Sequence, residues 1–203
     1  MATMTASGAD YRELILSDRV SGRVYYDPGI FQDELEKIWR REWIYVAHES
    51  EVPEPGDYVT RTIGLQPIIV SRGEEGRIHL LLNRCRHRAN TVCQSDHGNS
   101  HAFRCAYHGW TYNNGGGLVG VPYAAGYDES FRKEDYGLAQ APRIGSYRGL
   151  IFASLSPTGP TLEQHLGPAT RLIDQFVNLA PEGEVILRSG VLKHYYRDRK
   201  SVV

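Results

Sequence analysis

Two short stretches constrain this chain more than anything else in it. Cys85-Arg86-His87-Arg88 and Cys105-Ala106-Tyr107-His108-Gly109-Trp110 each set one cysteine beside one histidine. Seventeen residues separate His87 from Cys105, so the pattern reads C-x-H-x17-C-x2-H. Two thiolates and two imidazoles satisfy a zinc ion, and equally one kind of iron–sulfur centre. Zinc fingers favour a Cys pair in one knuckle and a His pair on a helix. Here each loop gives one of each, which suits two irons: Cys85 and Cys105 on one, His87 and His108 on the other. The third cysteine is Cys93. An odd count with no secretion signal argues against a disulfide framework, and Cys93 is expected to be a small buried apolar residue.

Composition narrows the remaining classes. The formal net charge is −1, which gives no electrostatic case for nucleic acid or an anionic membrane surface. The stretch Met1 to Gly8 has no basic region leading into an apolar one, so it does not read as a signal peptide. The longest clearly apolar run, Leu150 to Leu155, is too short to span a bilayer. The expectation is a cytoplasmic protein with no membrane partner.

Residues 1–10 are small and polar and read as a mobile tail. Asp27-Pro28-Gly29 reads as a break. Apolar residues at Phe31, Leu35, Ile38, Trp39 and Trp43 then predict a helix, with acids early and bases late. Short strands follow: Trp43 to Ala47, Tyr58 to Ile63, Pro67 to Ser71, Arg77 to Leu82, His101 to Arg104, Trp110 to Tyr112, Leu118 to Val121, Arg143 to Ser146 and Leu150 to Leu155. Such spacing predicts a small antiparallel sandwich or barrel. Both Cys/His stretches fall at strand ends, where a scaffold holds binding residues. Thr161, with Gln164 three residues on, predicts a helix cap, and the helix is interrupted near Gly167-Pro168. Glu184 to Ser189 and Val191 to Tyr196 predict two more strands.

The two Cys/His stretches also resemble the Rieske [2Fe–2S] signature. With Val92 to Asn99, Ala102-Phe103, the turn Glu51 to Tyr58 and the helix carrying Trp39 and Trp43, they resemble the large (α) subunits of aromatic-ring-hydroxylating oxygenases. The likeness covers roughly residues 20–196. It implies a mainly β fold: a Rieske-type antiparallel β sandwich with an N-terminal helix and a partial α+β C-terminal segment. The implied division is a tail and helix at 1–42, the Rieske domain at 43–156 and the start of a catalytic domain at 157–203. The implied cofactor is a [2Fe–2S] cluster on Cys85, His87, Cys105 and His108. The implied partners are a ferredoxin or reductase donor, other α subunits and a small β subunit. In the family the electron goes on to a mononuclear Fe(II), held by two histidines and a carboxylate, that activates O2 for ring hydroxylation.

Details sharpen the resemblance. Respiratory Rieske proteins add a disulfide between their cluster loops, yet position 107 here is Tyr. They also offer a Ser hydroxyl to a cluster sulfur where this chain has Trp110. Fewer hydrogen bonds to sulfur predict a potential in the lower part of the range of roughly −150 to +300 mV. Trp110 is expected to pack at the cluster and limit water, and Arg88 either faces the cluster or is solvated. Family members often have Gly where this chain has Ala89; a positive φ there would strain alanine. Only His165 and His194 follow His108, in no paired motif, so the resemblance implies a truncated α subunit without ring hydroxylation of its own. The competing classes are a standalone Rieske ferredoxin and a zinc-stabilised binding module. Gly115, Gly117 and Gly120 satisfy G-x-G-x-x-G, but Val121-Pro122 follows rather than a helix, so a hairpin turn is the expectation.

Overall fold

The computed structural model describes residues 11–187. The tail at 1–10 and the strand expected at Val191 to Tyr196 lie outside the described residues. A short helix, α1 (Arg23–Tyr26), leads into α2 (Pro28–Glu34). Asp27-Pro28-Gly29 breaks the helical run after α1, as expected, and also starts α2. The Asp27 carboxylate accepts from Gly29 N–H at 2.9 Å and Ile30 N–H at 3.4 Å, and Pro28 supplies the preset φ of the first helical position. A π turn over Leu35–Trp39 closes the element, so it ends well before Trp43. Ile30 and Leu35 are buried, whereas Ile38 is exposed. Trp43 packs elsewhere: its indole N–H reaches Pro160 O at 2.9 Å, under the Arg143 guanidinium.

Ten strands follow: β1 (Ile44–His48), β2 (Asp57–Ile63), β3 (Gln66–Arg72), β4 (Ile78–Leu82), β5 (His97–Asn99), β6 (Ala102–Arg104), β7 (Thr111–Asn113), β8 (Leu118–Gly120), β9 (Arg143–Tyr147) and β10 (Leu150–Ser154). Among the described residues they form three antiparallel sheets, ordered β1-β10-β9, β4-β3-β2-β5 and β6-β7-β8. Nine of the ten match expected strands to within a residue or two; β5 was not foreseen. Its His-Gly-Asn has no apolar alternation, and it is added to β2 where Gly98 opposes Tyr58. A Cβ on Gly98 would lie 2.8 Å from the Tyr58 hydroxyl, so the close approach needs glycine.

The four-stranded sheet is covered on both faces, and side-chain alternation sorts its residues between two cores. Val59, Ile63, Ile68, Val70 and Leu80 face β1 and β10, meeting Val46, Ala47, Ile151 and Ala153. Tyr58, Ile69 and Leu81 face the other way, meeting Cys85, Cys105, Trp110 and Tyr112. This is why the run Ile68-Ile69-Val70 is continuously apolar rather than alternating.

The hairpin between β9 and β10 turns on Arg148 and Gly149, both at positive φ (50° and 82°), as a two-residue I′ turn requires. Arg148 is tied down by Asn178 Oδ1 at 2.7 Å, and Tyr147 hydroxyl by Asp174 at 3.0 Å. Both partners come from the C-terminal helical segment: α3 (Leu162–Leu166), capped by the expected Thr161/Gln164 box, then a break at Gly167, then α4 (Ala169–Val177). Residues 184–187 form no strand, which corrects that part of the Glu184 to Ser189 expectation; 188 and 189 lie outside the described residues. A β strand needs a neighbour to pair with, and among the described residues no strand pairs with 184–187. No helix among the described residues is long and apolar enough to cross a membrane.

Candidate metal centre

The first Cys/His stretch follows β4 and the second joins β6 to β7. Their backbones close in the same way. Ala89 N–H donates to Cys85 O at 2.8 Å and Cys85 N–H to Asn90 O at 2.8 Å. Gly109 N–H donates to Cys105 O at 2.9 Å and Cys105 N–H to Trp110 O at 2.8 Å. The fifth residue of each loop has positive φ, 56° at Ala89 and 74° at Gly109. The strain expected at Ala89 is therefore present. The left-handed region costs an L-residue about 1–2 kcal/mol, against about 0.5–1 kcal/mol of extra chain entropy for glycine. Ala89→Gly is expected to raise stability by up to about 1 kcal/mol, seen as a higher denaturant midpoint with unchanged slope.

Asn83 fastens the first loop. It is buried, its carbonyl accepts from Val92 N–H at 3.0 Å and Cys93 N–H at 2.9 Å, and its amide donates to Cys93 O at 2.7 Å. Cys85 and Cys105 are buried, within hydrogen-bonding reach of each other. Burial pushes the Cys105 thiol up, but N–H groups of Tyr107 and His108, with Cys85 and Asn90, carry it below the ordinary thiol value. Tyr112, fully buried on β7, places its hydroxyl 3.3 Å from Cys85 Sγ. That oxygen accepts from Arg86 N–H at 3.0 Å, which leaves its own proton for the sulfur. Burial and the Cys85 contact push the Tyr112 hydroxyl far up.

The imidazoles form the outer pair. His87 and His108 are half-buried, with their Nδ1 atoms 3.1 Å apart. Desolvation first, then the charges of His108 and Arg88, push His87 below the ordinary imidazole value. Trp110 stacks on His87 at 5.1 Å and 10°, and Tyr107, exposed, leans on His108 at 3.7 Å. Tyr127, Phe131 and Tyr136 meet Trp110 edge-on and wall it from water. Arg88 is exposed. Cys93 is buried, its thiol pushed up by burial and set against Ser95 O at 3.6 Å, apart from the pair. The glycines of G-x-G-x-x-G lie at the β7–β8 hairpin, with Gly116 at φ 91°.

This donor set fits a two-iron centre. Among the described residues no three His, Cys, Asp or Glu side chains gather closely enough to hold one metal ion. A single tetrahedral zinc needs all four together. Two irons with two protein ligands each need one pair of thiols and one pair of imidazoles, which is how the four side chains are arranged. Sequence reasoning singled out these four. It passed over Asn83 and Tyr112, polar groups at the end of β4 and within β7, and Asn90, in the first loop itself.

Residues 42–140 match the family model for the Rieske [2Fe–2S] domain. The chain carries a Rieske domain. It is 43% identical over 165 residues to the N,N-dimethyl phenylurea N-demethylase subunit alpha of a Sphingobium species, across 81% of this chain and 36% of the relative. It is 40% identical to the biphenyl 2,3-dioxygenase subunit alpha of Rhodococcus jostii, across 86% of this chain and 38% of the relative. The crystal structure of naphthalene 1,2-dioxygenase from a Rhodococcus species matches with TM-score 0.73 and 44% identity, over 78% of this chain and 36% of that one. The protein is thus a homologue of the N-terminal part of aromatic-ring-hydroxylating dioxygenase alpha subunits, and it spans well under half the length of these relatives.

Proposed function

We propose that this chain is the electron-relay part of a ring-hydroxylating oxygenase alpha subunit, with Cys85, His87, Cys105 and His108 as the ligands of its cluster. The separation of the four side chains into a buried thiol pair and a half-buried imidazole pair carries the reading. A Rieske [2Fe–2S] centre supplies one-electron storage and transfer. Cys85 and Cys105, packed against Tyr112 and Leu81, would hold one iron. His87 and His108, whose Nδ1 atoms face each other, would hold the other, leaving their remaining nitrogens for a partner. Trp110 and its aromatic wall keep water from the inner side. Residues 43–156 form the relay unit, in a cytoplasmic protein. The donor is a ferredoxin or reductase. The acceptor is a mononuclear iron in an alpha subunit, with further alpha and small beta subunits completing the enzyme. The standalone ferredoxin alternative lacks support, because the likeness to alpha subunits runs over 165 residues, well beyond the 42–140 that match the domain itself.

The purified chain, reconstituted with iron and sulfide, is expected to be coloured and to give the EPR signal of mixed His/Cys ligation when reduced. A colourless zinc protein, or an all-Cys signal, would overturn the reading. Tyr112→Phe removes the hydroxyl at Cys85 Sγ. If that bond is stronger by about 1 kcal/mol on the reduced centre, the midpoint potential falls by about 40 mV for a one-electron couple. Potentiometric titration of both proteins checks this, with wild type expected in the lower part of the Rieske range.

A further inference from the structure

Asn90 reaches both Cys85 and Cys105, one through its backbone and the other through its side chain. Its backbone carbonyl accepts from Cys85 N–H at 2.8 Å, which closes the first loop. Its side-chain amide turns away to the second loop, where Nδ2 lies 3.8 Å from Cys105 Sγ. The same Nδ2 donates to Thr91 O at 3.0 Å. With one amide hydrogen engaged by a carbonyl, the nitrogen rather than the oxygen of the amide is fixed toward the sulfur. The arrangement is reciprocal. Tyr112, on the strand after the second loop, reaches the sulfur of the first loop, and Asn90, on the first loop, reaches the sulfur of the second. Each thiol thus meets a side-chain donor contributed by the opposite stretch of chain.

Resting on the ligand reading above, we propose that Asn90 is a positioning residue that tunes the centre's potential through the Cys105 sulfur. The reasoning is electrostatic. A sulfur ligand carries more negative charge after the centre takes up an electron, so a fixed N–H donor favours the reduced form. Ala89 contributes to this. Its left-handed backbone (φ 56°) turns the chain just before Asn90, so the carbonyl and the amide of Asn90 serve different loops.

The test is a potentiometric titration of the reconstituted chain and three variants, with iron and sulfide content and EPR g-values recorded for each. Asn90→Leu keeps the volume without a donor, Asn90→Asp keeps the shape with a negative charge, and Asn90→Gln keeps an amide. At a fixed poise the reduced-to-oxidised ratio is expected to fall several-fold in Asn90→Leu and further in Asn90→Asp, with full iron content. Asn90→Gln should lie between Leu and wild type. Potentials of Leu and Asp equal to wild type, with the cluster retained, would overturn the inference and leave the ligand reading standing. Loss of the cluster from all three variants would assign Asn90 to loop assembly alone and also overturn it. A wild-type chain without a mixed-ligand signal would instead sink the ligand reading, and this inference with it.

Discussion

Cys105→Ser is expected to leave the reconstituted protein colourless, whereas Cys93→Ser stays coloured. Both thiols are buried, so burial does not separate them. Their surroundings do. N–H groups of Tyr107 and His108 aim at Cys105 and favour its thiolate, the form a metal takes. Cys93 is pushed the other way, because burial outweighs the Ser95 backbone and Tyr58 hydroxyl that favour its thiolate. Serine at 105 offers iron a far less acidic hydroxyl in a site shaped for sulfur. Visible absorption and iron content per chain give the readout. A colourless Cys93→Ser beside a coloured Cys105→Ser would remove Cys105 from the ligand set.

Asn83→Ala is expected to cost about 3 kcal/mol or more in unfolding free energy. The side chain satisfies two N–H groups and one carbonyl of a buried loop, and alanine satisfies none. Each buried polar group left without a partner costs about 1–3 kcal/mol. Water entering the vacated space would recover part of this, so the loss falls below the simple sum. Urea denaturation of the cluster-free chains isolates the effect from metal binding. A change within about 0.5 kcal/mol, the range of an ordinary surface substitution, would mean that the clamp is not what holds this loop.

The four proposed ligands were legible because their spacing is local: two residues apart in one stretch and three in the other. The strands were legible because their apolar runs and intervening turns are local too. Ala89 stood out only because the family it resembles often has glycine there; its positive φ is seen in the structure. Tyr112 and Asn83 could not. What gives Tyr112 its role is Cys85, 27 residues earlier, and a tyrosine in a strand otherwise reads as core. Asn83 serves partners nine and ten residues away across a loop whose path no periodicity encodes. That Asp27 also caps α2 escaped notice because Asp-Pro-Gly serves a turn and a helix cap equally well; the π turn after α2 packs Leu35 against the β2–β3 turn at Gly64. β5 escaped notice for a related reason: three polar or small residues become a strand only because β2 offers a free edge beside them.

The central sheet, buried on both faces, gives the proposed centre a single front. Behind Cys85 and Cys105 lie β4, β3 and β2, and behind those β1 and β10, with packed sheets about 10 Å apart. Tunnelling through so much closed apolar layering is slow compared with passage across the rim where His87 and His108 reach the surface. On the proposed reading, a donor and an acceptor would visit the same rim, side by side or in turn. The traffic of electrons would then be governed by occupancy of one small surface as much as by potential.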